Sequence, residues 1–142
     1  TALLARLAAI GAPLLSDTLH AIEAGTATRT PQDPSMATLA PMLSKELSPI
    51  DWTRSAREFD CQVRGLIPWP CAATSVDGKS VKVYETVSGE MTADAPGTMH
   101  AVKRGLSVAC GDGRSLIITQ LQAEGGKRMA AASYLLGHPL EV

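Results

Sequence analysis

The chain has 142 residues, 45% of them hydrophobic and 19% charged, which leaves room for one ordinary domain or a small domain with an appendage. Its formal net charge of −1 does not announce a nucleic-acid binder through bulk charge, so any basic surface has to come from spatial sorting. Residues 1–44 hold only Arg6 and Arg29 as basic residues, whereas eleven basic and eleven acidic residues share 45–142.

Residues 2–24 read as a helix: Leu3, Leu7, Ile10 and Leu14 follow i, i+3/i+4 spacing, and Leu15, Leu19 and Ile22 continue the stripe. Gly25 stands where a C-terminal cap belongs. Pro13 predicts a kink, or a break near Gly11, because proline removes one ladder hydrogen bond and crowds the carbonyl four residues back. Residues 25–50, with Pro31, Pro34, Pro41 and Pro49 and no sustained period, read as an extended linker with room for a short strand.

Ser55-Ala-Arg-Glu58 matches a capping box, and Phe59, Val63 and Leu66 then form one apolar face before Gly65 and Pro68 end the helix. Trp52 and Trp69 bracket that helix and are expected to seal it onto the body of the domain. Pro68 and Pro70 hold the chain extended, so a strand is expected to enter directly afterwards. Asp77-Gly78 is a two-residue hairpin turn joining strands near 71–76 and 79–87. Further strands are expected at about 97–103, 106–110 and 115–121, and a short helix at 130–136. The expected fold is mainly β: a small barrel of the oligonucleotide-binding (OB-like) type with a capping helix and a short C-terminal helix, preceded by an N-terminal helix and an extended linker.

Cys61, Cys71 and Cys110 are odd in number and form no C-x-x-C pair; with no recognisable signal peptide, they fit a reducing, cytoplasmic compartment. No unbroken apolar stretch approaches the ~20 residues of a membrane span, and no membrane partner is expected. "AEGGKRM" at 123–129 lacks the G-x-x-x-x-G-K-[ST] pattern of a phosphate loop, since position 121 is Leu and 128 is Arg. It reads as a solvated turn or as a mobile basic loop for a phosphate backbone. "GDG" at 111–113 is a turn. His20, His100 and His138 have no second ligand at metal spacing, the acidic residues form no acid/base pair, and no serine has a nucleophile-elbow context. No catalytic or metal-binding constellation emerges.

Laid side by side, several segments resemble the C-terminal part of the methionyl-tRNA formyltransferase family. "LAAIGAPLLSDTLHAIEAGTATRTPQD" is similar to the family's last catalytic-domain helix and its exit. "TLAPMLSKELSPIDWTRSA" is similar to its linker around L-S-K-E and I-D-W, "VRGLIPWPCAA" to its R-x-x-x-P-W-P-G-A stretch, and "VACGDGRSLIITQLQAEGGKRMAAASYLLG" to its closing G-D-G, L-Q-x-x-G-K-x-x-M and terminal helix. Three positions depart: Cys71 stands where the family usually has Gly, Ala73 where it has an aromatic, and Met42 replaces a basic residue before L-S-K-E.

The resemblance implies a division into a remnant helix of an N-terminal catalytic domain (1–27), a linker (28–50) and an OB-like tRNA-binding domain (51–142). It implies as partners initiator methionyl-tRNA and a Rossmann-like catalytic domain that this sequence does not contain. It also implies a reaction that transfers a formyl group from 10-formyltetrahydrofolate to the methionyl amine. The family's catalytic Asn-His-Asp set cannot lie here, because the sequence contains no Asn; the chain alone is expected to be inactive and to hold no cofactor. Beginning at Thr1 rather than Met, and already helical there, the chain reads as a piece of something longer. The stripe on 2–24 would then lack its partner surface, so the helix is expected to self-associate between copies, to fold back on the barrel, or to fray. Candidate tRNA contacts are Lys45, Arg64, Lys79, Lys82, Lys103, Arg104, Arg114, Lys127 and Arg128. Lys103, Arg104, Lys127 and Arg128 stand out because 101–128 carries five basic against two acidic residues. With only one Phe, two Tyr and two Trp, contact through phosphates and shape is favoured over base stacking. A related formyltransferase or formyl-folate hydrolase tail, and a free-standing interaction module, remain alternatives.

Overall fold

The computed structural model describes residues 2–140. The chain divides into two compact units, Thr1–Ala40 and Pro41–Val142. The first holds one helix, α1 (Ala2–Glu23), and a short 3-10 turn at Pro34–Met36 capped by Asp33, whose carboxylate accepts the Ser35 N–H and hydroxyl. None of the α1 residues is buried, and the Leu3, Leu7, Ile10, Leu14, Leu19 and Ile22 side chains lie open. The break expected near Gly11 does not occur: the helix runs through Pro13. A proline forfeits only one donor, and the turns on either side keep theirs. Continuous over 22 residues, α1 is long and apolar enough, by length and composition, to cross a membrane, although the sequence shows no unbroken apolar run of that size; Arg6 and Asp17 interrupt the run without interrupting the helix.

The second unit is built on an antiparallel sheet. Its strands are β1 (Ala72–Val76), β2 (Lys79–Met91), β3 (Met99–Val102), β4 (Gly105–Ala109), β5 (Arg114–Ala123) and β6 (Met129–Ala130). They run in the order β1-β2-β5-β4-β3, with β6 paired to β5. The sheet is open: among the described residues no ladder joins β1 to β3. β2 continues four residues beyond the expected 87, through Met91, because 88–91 pair with the start of β5 after register shifts. The two-residue β6 has no periodic signature of its own; it exists because Met129 and Ala130 meet Leu121 and Gln120. Asp77 (φ 47°) and Gly78 (φ 74°) make the expected tight turn.

The core sits between the sheet, α2 (Ala56–Gly65) and α3 (Ala131–Gly137). It is filled by Val63, Val81, Val83, Leu106, Val108, Ile118, Leu121 and Tyr134, with Phe59, Cys110 and Leu116 in a second cluster. α2 begins with a complete capping box. The Glu58 N–H donates to Ser55 Oγ (3.3 Å), and Glu58 Oε2 accepts the Ser55 N–H (3.0 Å) and hydroxyl (2.7 Å). Trp52 packs edge-on against Phe59, ring centroids 5.0 Å apart, and donates its indole N–H to Thr74 Oγ1 (3.0 Å), so it does tie α2 to β1. Trp69 does not: it is 52% exposed, and Leu66 and Ile67 supply the apolar cover instead. Strand β1 follows directly after Cys71, whose φ of 67° lies in the left-handed region. Glycine is at ease in that conformation.

Candidate nucleic-acid interface

The nine candidate cations fall into separate neighbourhoods. Lys82 is the cross-strand partner of Gln122 on β5. With Ser80, Ala123, Glu124 and Gly125 these two residues line a hollow of about 300 Å³ at the foot of the loop that carries Lys127 and Arg128. Lys103 and Arg104 form the two-residue turn between β3 and β4, since Val102 pairs with Gly105. Gly105 lies against Ala131 at the start of α3 and against the Ile118 carbonyl. The turn therefore stands close to the chain that leaves the Lys127-Arg128 loop. Lys45 lines a different groove, of about 630 Å³, with Trp52, Thr74, Ser75 and Met99, and Lys79 opens β2 beside the Asp77-Gly78 turn.

Two candidates are set apart. Arg114 opens β5, opposite Met91; eight residues of extended chain, roughly 26 Å, separate it from Gln122. Arg64 is already engaged: its Nε donates to Asp60 Oδ2 (2.8 Å), an i, i+4 pair on α2, and Asp60 raises the guanidinium pKa further above its ordinary value. Asp60 Oδ1 also accepts the Thr86 hydroxyl (2.8 Å), so this carboxylate links α2 to β2.

The 124–128 loop is held rather than loose. Gly126 N–H donates to Ala123 O (3.0 Å), and Gln122 Nε2 donates to Gly126 O (2.8 Å). Gln122 Oε1 in turn accepts the Tyr84 hydroxyl (2.8 Å). The Arg128 guanidinium carbon sits 4.9 Å from the centroid of the same Tyr84 ring, a cation–π contact. Burial, with the Cys71 thiol beside it, pushes the Tyr84 phenol up despite the Arg128 charge, so the hydroxyl keeps the proton it donates. The residue pattern predicts a strand over 79–87, which contains Tyr84, but not this network. The only hint was the coincidence of a lone strand tyrosine with a Gly-Gly-Lys-Arg loop, and nothing local says that the two meet.

At the other end of the sheet, His100 Nε2 lies 3.0 Å from Asp94 Oδ2, which also accepts the Thr92 hydroxyl (2.7 Å); His100 and Asp94 are exposed and Thr92 half-buried, and Thr92 followed by His100 holds the Asp94 carboxyl below its usual range. Among the described residues no three His, Cys, Asp or Glu side chains gather into a cluster that could hold a metal ion.

Comparison with known proteins agrees with this architecture. The family described as "Formyl transferase, C-terminal domain" matches residues 42–139. Methionyl-tRNA formyltransferase of Trichlorobacter lovleyi is 46% identical over 95% of this chain and 42% of its own length. The enzyme of Geobacter metallireducens is 44% identical over 96% of this chain and 43% of its own length. The chain thus spans less than half the length of these curated relatives. Among solved structures, a variant of HypX from Aquifex aeolicus superposes with a TM-score of 0.61 at 21% identity, over 89% of this chain and 23% of that one. HypX in complex with tetrahydrofolic acid gives 0.56 at 23% identity, over 82% and 21%. At these identities the likeness concerns the fold.

Proposed function

Because the chain belongs to the formyl transferase C-terminal domain family, we propose that it is the tRNA-holding portion of a methionyl-tRNA formyltransferase. The observation that carries this reading is 40–46% identity to three bacterial enzymes of that name along nearly the whole chain. On this reading the sheet of 51–142 is a partly open, OB-like barrel, 28–50 is the linker, and 1–27 belongs to the catalytic domain. Formyl transfer from 10-formyltetrahydrofolate to the amine of initiator methionyl-tRNA is carried out in the part of the relatives' length that this chain does not span. The chain works in the cytoplasm and contributes by position: misplacing the reacting amine by about an ångström costs roughly a hundredfold in rate.

Lys82, Lys103, Arg104, Lys127 and Arg128 are the favoured phosphate contacts. Lys45 and Lys79 form a second group, and Arg64 and Arg114 are peripheral. The apolar stripe of α1 is covered by the catalytic domain in longer proteins and by a second copy when the chain is alone. Each fully buried Leu or Ile contributes roughly 1.5–3 kcal/mol, a strong reason to cover it.

The test is binding of methionyl-tRNA to the purified chain at several salt concentrations. Each lost phosphate contact flattens the slope of log K against log salt by roughly 0.7–0.9. Changing Lys127 and Arg128 together to Ala is expected to lower the slope by up to about 1.4–1.8. It should weaken initiator and elongator tRNA alike, since phosphate contacts carry little sequence information. An unchanged affinity and slope would exclude the loop from the interface. Turnover of methionyl-tRNA and 10-formyltetrahydrofolate by the chain alone would overturn the division of labour, and a concentration-independent monomer in sedimentation would overturn pairing through α1.

A further inference from the structure

We propose that Tyr84 is a positioning residue for RNA phosphate: it presents the Arg128 guanidinium, and through Gln122 the whole 124–128 loop, in a geometry ready for binding. The inference rests on the reading above that this loop meets tRNA. It goes beyond that reading by assigning a role to an uncharged side chain on the neighbouring strand.

Two contacts meet at Tyr84, and two more tie down the loop they reach. Its ring carries the Arg128 guanidinium at 4.9 Å. Its hydroxyl donates to Gln122 Oε1, and the Gln122 amide holds Gly126 O, each at 2.8 Å. The far end of the loop is tied by Met129, which pairs with Leu121. The loop is therefore fixed at its middle and at its exit, and its terminal cation is held over the ring face.

The manner of fixing Arg128 matters. A guanidinium held over a ring face keeps its five in-plane N–H donors free, and these match a phosphate in bidentate fashion. Arg64 is the contrast within the same unit: its ion pair with Asp60 spends donors and charge on a neighbouring carboxylate. Tyr84 restrains Arg128 without neutralising it. Restraint before binding reduces the side-chain and loop ordering that association would otherwise cost, so affinity rises without any added contact.

A distinctive signature follows. Removing the ring leaves the number of neutralised phosphates intact, so the salt slope stays while affinity falls at every salt concentration. The experiment is a double-mutant cycle on the chain with methionyl-tRNA as probe, using Tyr84→Leu, Arg128→Ala and the double variant. Tyr84→Leu is expected to weaken binding about 3–10-fold, in the range of a cation–π contact, with the parent's slope. In the Arg128→Ala background the same change should cost clearly less than in the parent, the remainder being the Gln122 route to the loop.

Arg128→Lys provides an independent arm that leaves Tyr84 in place. It keeps the charge and loses the planar fork, and it should reproduce the loss of affinity at constant slope. Ring-current shifts of the Arg128 side-chain protons, present in the parent and absent in Tyr84→Leu, report the clamp without tRNA. If the Tyr84 and Arg128 effects simply add, or if Arg128→Lys binds like the parent, the positioning role is overturned while tRNA binding stands. If the parent chain fails to bind tRNA although the ring-current shifts are present, the functional reading falls and the proposal with it.

Discussion

The Asp112 carboxylate accepts the backbone N–H of Ala56, the first residue of α2, at 3.3 Å across fifty-six positions of sequence. The G-D-G turn is thus the tertiary half of a helix cap whose local half is Ser55. Asp112 Oδ1 also accepts the Arg114 N–H (3.2 Å), and the Gly111 N–H donates to Arg54 O (2.8 Å), which docks the turn on 51–55. Asp112→Ala is expected to destabilise the fold by about 1–2 kcal/mol, the usual range for a lost cap. Gly111→Ala is expected to cost more, because a Cβ there would overlap the Thr53 carbonyl. Urea unfolding of both variants checks the order; the reverse order would place the weight on the cap rather than on the close approach.

Acid should remove a specific contribution at the opposite side of the same cap. The Ser55 N–H, then its hydroxyl, then Arg54 hold the Glu58 carboxyl down to about 2. A carboxyl whose pKa is lowered by folding adds stability above its unfolded pKa, roughly 4.3. That contribution is progressively lost as pH falls from about 5 toward 2. Melting temperatures measured across that window should fall less steeply in Glu58→Gln, which keeps a capping side chain but does not titrate. Parallel curves would show that the capping box is not a source of the acid sensitivity.

The three thiols should separate by reactivity. Cys61 is exposed, whereas Cys71 and Cys110 are buried. Burial first, and the Asp112 charge second, push the Cys110 thiol up to about 11, so at pH 8 it is almost wholly protonated as well as enclosed. The Cys71 thiol donates to Pro68 O (3.1 Å). Alkylation of the native chain at pH 8 is expected to modify Cys61 alone, and all three thiols in denaturant. Rapid native labelling of Cys110 would contradict the burial described for the Phe59–Leu116 cluster.

Cys71 offers a test of backbone conformation. At φ 67° a β-branched residue is a genuine outlier, so Cys71→Val is expected to destabilise by about 2 kcal/mol or more. A left-handed non-glycine residue costs roughly 1–2 kcal/mol. Cys71→Gly therefore regains about what the lost burial of the thiol removes, and should leave stability within about 1 kcal/mol. Equal losses in the two variants would mean that packing of the thiol, and not φ, governs this position.

The residue pattern by itself determined the features that depend on neighbours a few positions away. The Ser55–Glu58 box, the apolar face of Phe59, Val63 and Leu66, and the Asp77-Gly78 turn are local. Their hydrogen bonds and φ values are satisfied within one turn of chain. The same holds for the family resemblance, which rests on short motifs. What only the tertiary structure decided involves partners far apart in sequence: Asp112 on the α2 terminus, Asp60 between Arg64 and Thr86, the pairing that creates β6, and Tyr84 beneath Arg128. It also decided exposure. Trp69 and Trp52 carry the same side chain close to one helix, yet one lies open and the other packs on Phe59. Composition and spacing count how many cations and aromatics a chain has. Which of them share a surface follows from strand register and chain reversal, and these are set by burying Val81, Val83, Ile118 and Leu121 together in one core.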